Sequence, residues 1–232
     1  MNIKGIYKTT LIDYPGRISA AIFTGGCNLR CRYCHNPSLV IPGQDEHTFS
    51  EDDVLDLLKK RKNIIEGLAI SGGEPTLNED LGSFIEKVKE LSIDVKLDTN
   101  GLNPSMIADL LNRELLDYVA LDVKTSPDKY SDLTGRDINF STIVQSINTL
   151  RESGVDFEIR TTCIPGYVTI DDFHAIKETI GYVPRYALQQ FVADNDLVDN
   201  NLRKVQPYPV KILYDFKKFV ETFTDVCEIR GV

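Results

Sequence analysis

An α/β fold, an incomplete (β/α)6 barrel related to the TIM barrel, is what the sequence predicts, on three observations. Six short apolar runs rich in β-formers alternate with stretches of helical period, none is followed by a G-x-G-x-x-G dinucleotide fingerprint, and chemically capable residues recur where the runs end. Strand–helix alternation predicts a parallel sheet, with a doubly wound sheet as the alternative to the barrel.

The first run, residues 18–26 (ISAAIFTGG), leads through Gly25 and Gly26 into a group of cysteines. A helix follows at 52–60 (DDVLDLLKK). Ser50 and the acids of SEDD stand at its positive end, and Lys59, Lys60, Arg61 and Lys62 at its negative end, so this basic run is a helix terminus. The second run, 67–75 (GLAISGGEP), precedes a helix at 81–91, and the third, 94–101 (DVKLDTNG), one at 106–115. The fourth, 118–124 (YVALDVK), is followed by a helix at 140–154 and the fifth, 157–166 (FEIRTTCIPG), by one at 171–181. The sixth is 186–192 (YALQQFV). The tail from Gln206 reads as a helix over 208–223 and an extended piece over 226–232 that closes one edge of the sheet. With no linker or repeat, residues 1–232 are expected to form one domain, with 206–232 as its helix–strand closure; such a length buries roughly 70–75 % of the unfolded surface.

A formal charge of −9 and a pI near 4.9 argue against nucleic acid as a partner. No run of eighteen apolar residues marks a membrane span, and the first twenty residues lack the order of a signal peptide, so the expected location is the cytoplasm. Five cysteines in a reducing compartment do not suggest a disulfide framework. Cys163 and Cys227 lie in apolar, strand-like segments and are expected to be small buried hydrophobes, while His47 and His174 stand in polar surroundings and are expected to be solvated.

Cys27, Cys31 and Cys34 remain, spaced C-x3-C-x2-C. Zinc would need a fourth ligand, and His35, the one at hand, is adjacent to Cys34 and poorly placed to share its ion. Covalent haem matches the C-x-x-C-H of residues 31–35 but leaves Cys27 unexplained. A four-iron four-sulfur cluster held by three thiolates leaves one iron open for chemistry. In a β/α barrel the loops at the C-terminal ends of the strands carry function, and here the first strand aims the cysteines at that rim, the second Gly72, Gly73 and Glu74, the third Asp98 and Asn100, the fourth Asp122 and Lys124, and the fifth Arg160.

The cysteine spacing, with Tyr33 before the last cysteine, resembles the signature of the radical S-adenosylmethionine enzymes. Across residues 11–37 (LIDYPGRISAAIFTGGCNLRCRYCHNP) the resemblance narrows to glycyl-radical-enzyme activating proteins, most nearly the longer type that activates anaerobic ribonucleoside-triphosphate reductase. It implies a partial barrel of the radical SAM type, with a four-iron four-sulfur cluster on the three cysteines and S-adenosylmethionine on the open iron. Reductive cleavage of that cofactor would yield a radical that takes hydrogen from a backbone glycine of the partner enzyme. It places the methionine amino group at Ser71–Pro75, and the ribose and carboxylate near Asp98, Asn100, Asp122, Lys124 and Arg160. Asp98 and Asp122 could also help hold a monovalent cation, as similar residues do in pyruvate formate-lyase activating enzyme. His35 is expected to orient the cluster loop without ligating. The sixth strand departs from that enzyme, because Gln189 or Gln190 stands where it has a histidine. Implied partners are the reductase and reduced flavodoxin or ferredoxin as electron donor. The alternatives are another glycyl radical enzyme of the pyruvate formate-lyase type, a small-molecule or peptide substrate, or an electron-carrier domain that cleaves no cofactor.

Overall fold

The fold, described by a computed structural model over residues 1–40, 48–193 and 196–232, is built on one sheet whose strand order follows the chain. His47 lies outside the described residues. Strand β1 (Ile3–Thr10) pairs antiparallel with β2 (Ser19–Thr24). Then β3 (Gly67–Gly72), β4 (Asp94–Thr99), β5 (Tyr118–Asp122), β6 (Asp156–Cys163), β7 (Val183–Gln190) and β8 (Thr224–Arg230) add in parallel, each to the strand before it. Among the described residues the sheet stays open between β1 and β8. Strands β2 to β7 are the six runs seen in the sequence, and the expected partial barrel is the fold observed.

Two strands flank those six. β8 and the helix before it, α8 (Val210–Val220), occupy the edge that the tail was expected to close. β1 carries no sequence signal strong enough to find it, because it is an edge strand in which only Ile3 is fully buried and Gly5, Lys4 and Lys8 interrupt the apolar pattern.

The helices are α1 (Pro37–Val40), α2 (Glu51–Arg61), α3 (Leu81–Lys89), α4 (Pro104–Asn112), α5 (Pro127–Thr134), α6 (Phe140–Ser153) and α7 (Ile170–Ile180), with α8 last. Ser50 and Asp53 form a reciprocal cap at the start of α2: the Asp53 N–H donates to Ser50 Oγ at 3.1 Å and the Ser50 N–H to Asp53 Oδ2 at 2.8 Å. Helix α4 begins earlier than its apolar period suggests, because Pro104 fits the first turn and Asn103 caps it. Helix α5 is too short and polar to show a period, yet its Leu133 joins Tyr33, Ile164, Phe191, Leu197 and Leu202 in a small apolar cluster packed against Cys31. Period two sets the rest. On β4, Val95 and Leu97 face the helices and are fully buried, leaving Lys96 and Asp98 on the opposite, concave face. Among the described residues no helix is long and apolar enough to cross a membrane.

Candidate active site

The site begins with a backbone seam. Glycines Gly72 and Gly73, after β3, lie against the segment that runs from β2 into the cysteines: the Gly73 N–H donates to Thr24 O at 2.8 Å and the Glu74 N–H to Gly26 O at 2.8 Å. Gly72 holds φ +121°, and a Cβ on Gly73 would lie 1.9 Å from Gly26 O. Side chains at these two positions would collide with the backbone just before Cys27.

Glu74 then ties the next loop to this seam. Its carboxylate is 1 % exposed and accepts from Thr76 Oγ1 at 2.6 Å, Thr99 Oγ1 at 2.8 Å and the Asn100 N–H at 2.7 Å. Burial pushes its pKa above the usual carboxylate value, against the pull of those donors. Asn100 continues the chain of contacts, with Nδ2 donating to Asn28 Oδ1 inside the cysteine loop at 2.7 Å. The loops after β2, β3 and β4 are therefore hydrogen-bonded to one another.

A charge network spans the next three strands. Arg160 on β6 sends Nε to Asp122 Oδ1 at 2.7 Å and Nη1 to Asp98 Oδ2 at 3.2 Å. Lys124 Nζ lies 2.8 Å from Asp122 Oδ2, and Lys96 Nζ pairs with Asp98 Oδ1. Every oxygen of the two aspartates thus meets a cationic nitrogen. Burial opposes ionisation of both carboxylates, but the Arg160 guanidinium and the two lysines outweigh it and hold Asp98 and Asp122 below their ordinary values. Within this network of five groups three cations face two anions.

Cys27, Cys31, Tyr33 and Cys34, the Gly72–Glu74 segment, Asp98, Asn100, Asp122, Lys124 and Arg160 all line one cavity, so the structure brings together these residues that the sequence points to. Leu29, Val40, Ser71 and Thr99 complete the wall. Burial raises the Cys27 thiol and pushes Cys31 up to about 12. Among the described residues no group of three or more His, Cys, Asp or Glu is placed to hold a single metal ion; what suits a four-iron cluster with one open iron is the number of thiols lining the one cavity, three, with Cys163 and Cys227 buried elsewhere in the main apolar core. His35 is half-buried and does not line the cavity. His174 is exposed, its ring 4.1 Å from that of Phe219.

On β7 the two glutamines part. Gln189 lines a second cavity, which shares Arg160 with the first and is also bordered by Lys96 and Arg230, whereas Gln190 Nε2 donates to Tyr208 O at 2.8 Å. Lys96, Asn28, Glu158 and Arg230 are not among the residues that the sequence points to. Lys96 and Glu158 carry a readable signal, since each stands two residues before a rim residue, Asp98 or Arg160, on the same face of its strand. Arg230 pairs with Glu158 at 2.7 Å from the tail strand, a contact that no local pattern announces.

The model of the radical SAM superfamily matches residues 21–180. A candidate glycyl-radical enzyme activating enzyme of Methanocaldococcus jannaschii, MJ1227, is 33 % identical over 240 residues, covering 99 % of this chain and 96 % of its own. The pyruvate formate-lyase-activating enzyme of Streptococcus mutans is 31 % identical over 174 residues, 69 % of this chain and 64 % of its own. In fold, SuiB of Streptococcus suis, solved bound to S-adenosylmethionine, superposes with a TM-score of 0.67 at 16 % identity over 88 % of this chain; the chain spans about half (48 %) of SuiB. A family match across most of the chain, on the residues that carry the three thiols and the charged rim, places the protein in the radical SAM superfamily, among the glycyl-radical-enzyme activating enzymes.

Proposed function

We propose that the protein generates the glycyl radical of an anaerobic ribonucleoside-triphosphate reductase, using a four-iron four-sulfur cluster on Cys27, Cys31 and Cys34 and S-adenosylmethionine in the cavity beside it. The observation that carries this reading is the convergence of the three thiols, the Gly72–Glu74 segment and the paired charges of Asp98, Asp122, Lys124 and Arg160 on a single cavity. When bound, the cluster and cofactor supply one electron to the sulfonium and, from its cleavage, the carbon radical that takes a hydrogen atom. The chain's part is to bind, orient and exclude water. Lys124 and Arg160 offer cationic donors to the cofactor carboxylate, backbone carbonyls of the glycine segment accept from its ammonium, and Tyr33, Leu29 and Val40 give the cavity apolar walls. The choice of reductase rests on the resemblance of residues 11–37, and reduced flavodoxin or ferredoxin is the electron donor that goes with it.

Loss of one charge-assisted hydrogen bond costs about 1.5–3 kcal/mol, so Lys124→Ala and Arg160→Ala are each expected to weaken S-adenosylmethionine binding roughly ten- to a hundredfold with cluster content unchanged. Parent-like affinity in both variants, read by titration of the cluster spectrum, would displace the cofactor from this rim. The partner is tested by mixing the reduced protein and S-adenosylmethionine with the anaerobic reductase of the same organism. A doublet paramagnetic signal on the reductase, lost when its radical-site glycine is replaced by alanine, is the expected result. A signal with a pyruvate formate-lyase instead would move the proposal to that partner.

A further inference from the structure

Lys96 is a charged side chain in an unusual place. It lies in the middle of β4, 2 % exposed, where its strand neighbours Val95 and Leu97 belong to the apolar core. Burying an ammonium is costly unless it is paired, and its partner is Asp98 Oδ1, two residues on along the same face. The other Asp98 oxygen is held by Arg160, and Asp122 is held by Arg160 and Lys124. A monovalent cation between these aspartates, as the resemblance to pyruvate formate-lyase activating enzyme suggests, would sit against two ammonium groups and a guanidinium. The donor set does not fit it.

We infer that Lys96 replaces that cation: its tethered ammonium supplies the positive charge that an alkali ion would otherwise bring to Asp98, so that cofactor binding needs no added ion. Two facts carry the inference. The four carboxylate oxygens are each matched to a fixed cationic nitrogen, and the five groups together keep one positive charge, the amount that an incoming carboxylate neutralises. With an alkali ion added, these five groups and the ion would carry two. Lys96 is thus a positioning residue: it fixes Asp98, which fixes Arg160. The inference rests on the cofactor placement proposed above.

The test is S-adenosylmethionine binding to the cluster-reconstituted protein in potassium, sodium and tetramethylammonium chloride of equal ionic strength. The parent is expected to bind with affinities equal within about twofold in all three. Lys96→Ala should bind about tenfold or more weakly in tetramethylammonium and recover most of that loss in potassium or sodium, while Lys96→Arg should behave as the parent. Recovery by a small cation is a response that a purely structural lysine would not give. Alkali dependence in the parent, a measurement that needs no variant to fold, would overturn the inference alone. So would parent-like binding by Lys96→Ala and Lys96→Gln in tetramethylammonium, or a loss that no alkali ion repairs. Failure of the parent to bind the cofactor in any of the buffers would overturn the placement and this inference with it.

Discussion

Replacing any one of Cys27, Cys31 and Cys34 with alanine is expected to abolish formation of 5′-deoxyadenosine. With two thiolates left, a four-iron cluster loses a third of its protein ligands. The open iron is then no longer a single, defined position. The reconstituted parent should hold about four iron and four sulfide per chain, and each of the three variants markedly less. Cys163→Ala and Cys227→Ala serve as controls, because both side chains are buried in the main apolar core away from the cavity and make no contact with it. Measurement of iron, sulfide and 5′-deoxyadenosine in the five variants decides the matter. Product from a variant lacking one of the three, or full activity from a parent that holds zinc and no iron, would remove the cluster from this loop.

Gly73→Ala is expected to be nearly as damaging, although its new methyl group adds no charge and removes no ligand. The added Cβ would fall 1.9 Å from Gly26 O and 2.7 Å from Gly26 C, which are backbone atoms with no rotamer to yield. Relief must come from moving the strand end that carries Cys27, or from breaking the 2.8 Å bond between the Gly73 N–H and Thr24 O. Overpacking of this kind costs about 1–3 kcal/mol, and a shift near 1 Å at a reacting centre can cost about a hundredfold in rate. The expected outcome is therefore a folded protein, by circular dichroism, whose cofactor cleavage falls roughly a hundredfold. Wild-type cleavage would mean that the seam between the two loops does not set the position of the cluster.

The parts of this architecture that repeat a local rule were legible in the sequence. Strands β2 to β7 announce themselves by apolar runs separated by capped helices, and the site residues by their place at the ends of those runs. The unread parts depend on contacts between distant segments. β1 owes its place to pairing with β2 and β5's polar successor helix α5 to a cap over Cys31, and neither has a pattern of its own. Glu74 is the instructive residue. Its position at the end of the second run pointed to the rim, and it does line the cavity; that its oxygens hold Thr76, Thr99 and the Asn100 N–H follows from how β3 and β4 lie side by side. Lys96 shows the opposite case, a residue whose period-two phase was readable but whose charge, between the core residues Val95 and Leu97, gains meaning only with Arg160 beside its partner.

The strand order has a consequence for how the molecule is made. Each strand from β2 to β8 pairs with its immediate predecessor, so the sheet can lengthen one unit at a time as the polypeptide leaves the ribosome, without waiting for a distant segment to close a barrel. The cavity walls come from β2 to β6 and the loops that follow them, and Arg160 is the last of these residues in sequence. A nascent chain therefore possesses its three thiols and its charged rim before β7 and β8 are synthesised, and the seam between β1 and β8 takes its second edge only after the cavity residues are all in place.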